Sequence, residues 1–245
     1  MASQLQLFES PEATQRWNVR ISRRARRLSV RVYPGGSVEV VVPPGASPLT
    51  IQRFVGTHRK WIEERVADLS TVSATVDATR PSSIDLRAIG RKFLVQYRHT
   101  STGSRVRVNV AGEGWLLVSG DLSNDERIAK ALRDWLLSFS QIELGRELGQ
   151  MGRRCGLSFR RLQIRRQRTR WGSCSASGTI SLNVCVLFQD PAVMRYLLVH
   201  ELSHTRHMNH SRRFWALVES FEPDYRRLDR ELLRGWQHVP GWMFE

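Results

Sequence analysis

No run of eighteen apolar residues occurs in this chain, so it offers no segment able to cross a membrane as a helix. Its three cysteines, Cys155, Cys174 and Cys185, cannot close a disulfide framework and lack the paired spacing of a structural metal cluster. A reducing, cytoplasmic setting is expected. Residues 1–17 carry Glu9 and Glu12 and show no basic-then-apolar leader pattern. Lysine is scarce: Lys60, Lys92 and Lys130 are the only three among 38 cationic residues. Acidic residues are missing altogether from Met151 to Gln189, and no internal repeat recurs at a fixed period. The 245 residues suffice for one large domain or two small ones.

What is abundant is arginine. The net charge of +15 is concentrated in two blocks. One holds Arg16, Arg20, Arg23, Arg24, Arg26, Arg27 and Arg31, and the other Arg153, Arg154, Arg160, Arg161, Arg165, Arg166, Arg168 and Arg170. Such blocks favour a polyanion partner, nucleic acid first. A genome that prefers arginine codons would produce the same bias, so composition alone leaves both explanations open.

Residues 1–14 read as a loose arm. Alternating apolar residues then predict a small antiparallel sheet over Trp17 to Val42, with arginines on its open face and a turn at Pro34-Gly35-Gly36. One helix follows from Ser47 or Thr50, with Ile51, Phe54, Val55, Trp61, Ile62 and Val66 at helical spacing. Ser70 to Ser83 reads as a linker. Short strands are expected at Ile84–Ile89, Phe93–Tyr97, Arg105–Val110 and Trp115–Val118, separated by Gly90, Gly103 and Gly112. A long helix should begin after Asp121-Leu122-Ser123 and run to about Met151. Strands at Arg161–Arg166, Arg170–Cys174 and Thr179–Val184 come next, the last two joined by the Ser175–Gly178 turn. Thr179–Asn183, with Ile180 and Leu182 inward, is the candidate edge strand for binding an extended peptide. Helices at 211–221 and 225–236 close the chain.

The most specific feature is His200-Glu201-Leu202-Ser203-His204. A five-residue window matches H-E-x-x-H by chance on the order of once in tens of thousands, so the match carries weight. Asp190 as N-cap and Pro191 in the first turn place it on a helix. Histidines four apart then share one helical face and can reach one ion, while Glu201 is placed to act on water rather than on the metal. A catalytic zinc usually takes a third protein ligand. His207 would lie about 10 Å along the helix from His200, too far for one ion. His210 qualifies if the helix ends first, and Asn209 before it suits such a turn. Glu219 on the next helix is the other candidate. The spacing to His210 also fits the metzincin string, but His207 stands where that string has glycine.

Taken together, Thr169-Arg170-Trp171-Gly172-Ser173-Cys174, Gly178-Thr179-Ile180-Ser181-Leu182-Asn183, the H-E-x-x-H string, Asn209-His210-Ser211 and Phe214-Trp215 resemble the YgjP-like metallopeptidase family, a relative of the SprT-like and WLM metallopeptidases. The resemblance extends upstream through Arg26–Val32 and Trp61-Ile62 and downstream to Pro223-Asp224-Tyr225-Arg226. It implies zinc on His200, His204 and His210, with Glu201 catalytic. Tyr225 is the candidate donor to the developing oxyanion. The expected fold is α+β: a basic, antiparallel β-rich region at 15–120, then a small zincin-like domain at 121–245 with a short antiparallel sheet and an active-site helix. The implied activity is peptide-bond hydrolysis of a protein or peptide substrate, acting near nucleic acid as the SprT and WLM relatives do. Two other classes stay in view: a metal-dependent hydrolase of nucleotides or other phosphate compounds, and a nucleic-acid-binding protein with a non-catalytic zinc site.

Overall fold

Sequence periodicity and the observed elements meet in a computed structural model that describes residues 17–33, 36–70, 80–100 and 105–244. The expected arm at 1–14, residues 71–79 of the expected linker, the first two residues of the Pro34-Gly35-Gly36 turn, and Gly103 lie outside the described residues. The fold is α+β, with six helices and three small sheets among the described residues. It divides into two compact units, Met1–Thr75 and Val76–Glu245.

In the first unit, strands β1 (Trp17–Ile21), β2 (Ser29–Val32) and β3 (Val38–Val42) form a sheet in the order β1-β3-β2. Only β2–β3 is antiparallel. β1 runs parallel to β3, because the chain reverses twice, through β2, before β3 is laid between the two earlier strands. The expected arginine face exists, but Arg20 and Arg31 both reach Glu39, at 2.9 and 3.7 Å. Two helices follow where one was expected. α1 (Pro48–Thr57) starts on Ser47, whose side chain caps the Thr50 amide, and α2 (Arg59–Ser70) starts after a break at His58. The His58 ring bonds back to the Phe54 carbonyl at 2.8 Å, competing with the helical ladder. Ile51, Val55 and Ile62 are buried as expected, whereas Trp61 is 49% exposed.

The second unit begins with β4 (Ser83–Leu86), β5 (Arg91–His99), β6 (Arg107–Val110) and β7 (Trp115–Gly120), in the order β4-β5-β7-β6. This sheet clusters with the rest of Val76–Glu245. The reason is α3 (Asp125–Cys155), a 31-residue helix. It begins on the Asn124 cap and ends at Gly156 in the left-handed region, φ 62°. Phe93 of β5 meets Trp135 and Phe139 of α3 edge-on, at 5.3 and 5.5 Å.

The later half of the same helix packs on a third sheet of β8 (Arg161–Arg165), β9 (Gly172–Cys174) and β10 (Thr179–Asn183), ordered β8-β10-β9. The β9–β10 hairpin is antiparallel as expected, but β8 runs parallel to β10. This corrects the edge-strand assignment. Thr179–Asn183 is central, with Ile180 and Leu182 fully buried, and β9 stands at the edge among the described residues. α4 (Pro191–Ser203), α5 (Arg212–Phe221) and α6 (Tyr225–Arg234) complete the unit. The C-terminal tail is tied down by arginine: Arg133 donates to the Trp242 carbonyl at 2.8 Å and Arg166 to that of Met243 at 3.0 Å, while Arg168 donates to Phe244. Part of the second basic block therefore serves the fold rather than a partner.

Candidate metal centre

Apolar residues fix the helix that carries the motif. Val193, Met194, Leu197, Leu198, Val199 and Leu202 are all buried, so α4 is held on several sides. Pro191 opens it, and Asp190 is its N-cap residue, although the Asp190 carboxylate pairs with Arg87 instead of capping. The helix stops at Ser203, leaving His204 as its C-cap. That early stop satisfies the condition for His210: the chain turns back and brings the third imidazole to the first two.

The ligand atoms of His200, His204 and His210 lie within 4.8 Å of one another and could hold a metal ion. The Nε2 atoms of His200 and His210 are 3.2 Å apart. Two nitrogens at 2.0–2.1 Å from a tetrahedral ion would be separated by about 3.3 Å. His204 Nδ1 lies 3.0 Å from the His207 carbonyl oxygen. A carbonyl only accepts, so Nδ1 carries the hydrogen and Nε2 offers its lone pair. Burial, then the neighbouring His204 and His210, hold the His200 pKa down to about 3; burial likewise lowers that of His204. Neutral imidazoles are the form a metal requires. The donor set and its spacing therefore fit a zinc ion.

Glu219 is exposed on α5 and outside this cluster. His207 contributes its backbone carbonyl, not its ring.

Glu201 is not one of these ligands. It is 4% exposed, and its Oε2 is buried without a hydrogen-bond partner. Burial alone raises its pKa to about 8. It presses against the edge strand: a Cβ built on Gly172 would stand 2.4 Å from Glu201 Oε1. A cavity of about 210 Å³ is lined here by Arg170, Trp171, Gly172, His200, Glu201 and Asp229 among others. Asn183 shapes its wall. Buried at 1% exposure, it donates through Nδ2 to the carbonyls of Gln167 and Arg170, both at 2.7 Å. Trp171 both lines the cavity and caps the core, stacked on Trp236 with ring centroids 4.1 Å apart.

A family model for the YgjP-like metallopeptidase domain matches residues 26–234. The chain belongs to the YgjP-like metallopeptidase family. No curated protein and no solved structure matches it. Family membership makes a metal-dependent peptidase of the chain, and no helix among the described residues is long and apolar enough to cross a membrane.

Aromatic residues hold the imidazoles in place. Phe214 is fully buried and stacks on His204 at 4.4 Å, with His200 and His210 edge-on to it at 5.0 and 4.9 Å. Trp215 stacks on His210 at 5.5 Å and on Tyr225 at 5.1 Å. Phe214 was legible only as core; its helix cap at Ser211 sets its facing. Tyr225 is 8% exposed, and its oxygen accepts from Arg226 Nε at 3.1 Å. Two residues not expected from the sequence complete the surroundings of His200: Tyr196, whose hydroxyl meets its ring, and Asp229, which accepts from Tyr196. Tyr196 had one available signal, its position one turn before His200 on the same helical face.

Proposed function

We propose that this chain is a zinc-dependent peptidase in which His200, His204 and His210 hold the ion and Glu201 moves the proton. The observation that carries the reading is the convergence of three imidazoles, the first of which lines a cavity together with a buried glutamate whose Oε2 has no hydrogen-bond partner. Zinc bound there supplies Lewis acidity to a carbonyl and to water. Glu201 accepts a proton from the attacking water and delivers it to the leaving amine. Burial raises the pKa of Glu201 and a cation held by the imidazoles would lower it, opposing pulls that suit a group serving both transfers. Tyr225, whose oxygen accepts from Arg226, keeps its phenolic hydrogen for the developing oxyanion.

The substrate is a protein or peptide laid along β9. That edge strand offers main-chain hydrogen bonds next to Glu201, as strand addition requires. Exposed Arg170 lines the cavity itself and adds positive charge at its mouth. The basic block from Arg153 to Arg170 favours proteins near nucleic acid as substrates, with binding that weakens steeply as salt rises. The free thiols Cys155, Cys174 and Cys185 suit a reducing cytoplasm.

The test is Glu201→Gln in purified protein. Cleavage of an unfolded protein such as casein should vanish while zinc stays bound at one equivalent. Undiminished cleavage in that variant, or a wild-type protein that takes up no zinc, would overturn the reading.

A further inference from the structure

Each helix-borne imidazole has its inner nitrogen engaged, but by different kinds of group. His204 uses a backbone carbonyl, that of His207. His200 uses a side chain. Its Nδ1 lies 3.2 Å from the hydroxyl oxygen of Tyr196, one turn earlier on α4. That hydroxyl in turn lies 2.8 Å from Asp229 Oδ1 on α6, a helix packed against α4.

The direction of these bonds follows from donor chemistry. An ionised carboxylate only accepts, so the single phenolic hydrogen goes to Asp229. The Tyr196 oxygen is then left to accept, and His200 Nδ1 must supply the hydrogen. Donation runs from His200 to Tyr196 to Asp229. This fixes His200 as the Nδ1–H tautomer, with its Nε2 lone pair toward His210. Tyr196 is fully buried, which leaves its ring little room to take another arrangement. Asp229 lines the same cavity as His200 and Glu201, so the chain of bonds ends at the cleft rather than in remote core.

We propose that Tyr196 and Asp229 are a positioning pair that sets the tautomer and ring angle of His200 and, through it, the metal affinity of the imidazole cluster. The proposal rests on the reading of His200 as a ligand. Hydrogen-bond partners of ligating histidines act by orienting the ring and raising its basicity, and losing them weakens metal binding without removing a ligand. Here the carboxylate acts at one remove, through a phenol. Asp229 should therefore matter only while the Tyr196 hydroxyl is present.

The experiment compares Tyr196→Phe, Asp229→Ala, Asp229→Asn and the double variant Y196F/D229A, with His200→Ala as reference, in the full chain. Zinc affinity is read by chelator competition, ligand geometry by the visible spectrum of the cobalt-substituted protein, and tautomer by the ¹⁵N shifts of His200 in metal-free protein. Tyr196→Phe and Asp229→Ala should each weaken zinc binding roughly 10–100-fold and shift the cobalt bands. The double variant should be no weaker than Tyr196→Phe. Asp229→Asn keeps an acceptor oxygen without the charge and should lie between Asp229→Ala and wild type. Were Tyr196→Phe unable to fold, the two Asp229 variants and the nitrogen shifts would carry the same test. The proposal is overturned if Tyr196→Phe and Asp229→Ala bind zinc like wild type, with unchanged spectra, while His200→Ala does not. Wild-type zinc binding by His200→Ala would instead overturn the ligand assignment beneath it.

Discussion

Gly172 and Glu201 are in contact so close that residue 172 has no room for a side chain: a Cβ there would lie 2.4 Å from Oε1 and 2.8 Å from Cδ of Glu201. Gly172→Ala must therefore displace the carboxylate or the edge strand. A shift of about 1 Å in a catalytic group can cost on the order of 100-fold in rate. We expect kcat to fall by about that factor while zinc stoichiometry stays at wild type. Rate assays paired with metal analysis check this, and an unimpaired alanine variant would show that Glu201 need not sit where it does.

Metal removal should be visible in stability, because a ligand bound only by the folded state stabilises it. Zinc at about 100 times its Kd adds about 2.7 kcal/mol. For a unit of this size that corresponds to a Tm rise of roughly 5–10 °C. Scanning calorimetry with zinc and with chelator should show the difference in wild type and lose it in His210→Ala, since His210 closes the cluster.

The motif helix and its two histidines were legible because H-E-x-x-H encodes its own geometry: period and spacing alone put His200 and His204 on one face, whereas His210 stood against Glu219 until the family resemblance favoured it. The long α3 and the short strands were legible for the same local reasons, though its cap, Asn124, was not. What stayed hidden was long-range. Nothing near residue 17 says that β1 pairs in parallel with β3, and nothing near residue 180 says that β10 lies between β8 and β9 in the third sheet. Strand order depends on crossovers, which local alternation does not encode. Asp229 was invisible likewise: on α6 it is one more surface-patterned acid until the packing of α6 on α4 brings it to Tyr196. The break at His58 was missed because apolar spacing continues through it from Val55 to Ile62.

Acid should weaken the first sheet through Glu39. Burial pushes the pKa of this carboxyl up, but hydrogen bonds from Arg20 and Tyr33 and the charges of Arg20 and Arg31 outweigh it, and the net shift is below the ordinary 4.5. A carboxylate with a depressed pKa contributes stability that is present above its unfolded value and lost as pH falls through the folded one. Both arginines are 44% exposed, so the contribution is on the order of 1 kcal/mol or less. Urea midpoints for wild type and Glu39→Gln should differ at pH 7 and converge as the pH falls through the folded pKa, which lies below 4.5. A constant gap across that range would exclude the linkage.

Thiol reactivity should sort the three cysteines. Cys185 is buried, and burial pushes its thiol up to about 12. At pH 8 only about one part in ten thousand of such a thiol is thiolate, the reactive form. Cys155 and Cys174 are half-buried, with pKa values also raised by burial. Iodoacetamide on the native protein should label these two slowly and Cys185 only after urea. Mass spectrometry of the labelled peptides reads the order, and native labelling at Cys185 would contradict its burial.

Phe214 joins the core to the imidazole cluster, so its truncation should cost both stability and metal. It is fully buried and touches all three histidine rings, stacking face to face with His204. Phe214→Ala removes a whole ring from a packed site, at a cost of about 3–5 kcal/mol. Phe214→Leu retains most of the apolar volume and should cost about 1–2 kcal/mol. Leucine cannot stack on imidazole, so zinc affinity should still fall in that variant although the fold survives. Denaturant unfolding separates the first effect and chelator competition the second. Equal zinc affinity in Phe214→Leu and wild type would mean that the ring fills space beneath the histidines without orienting them.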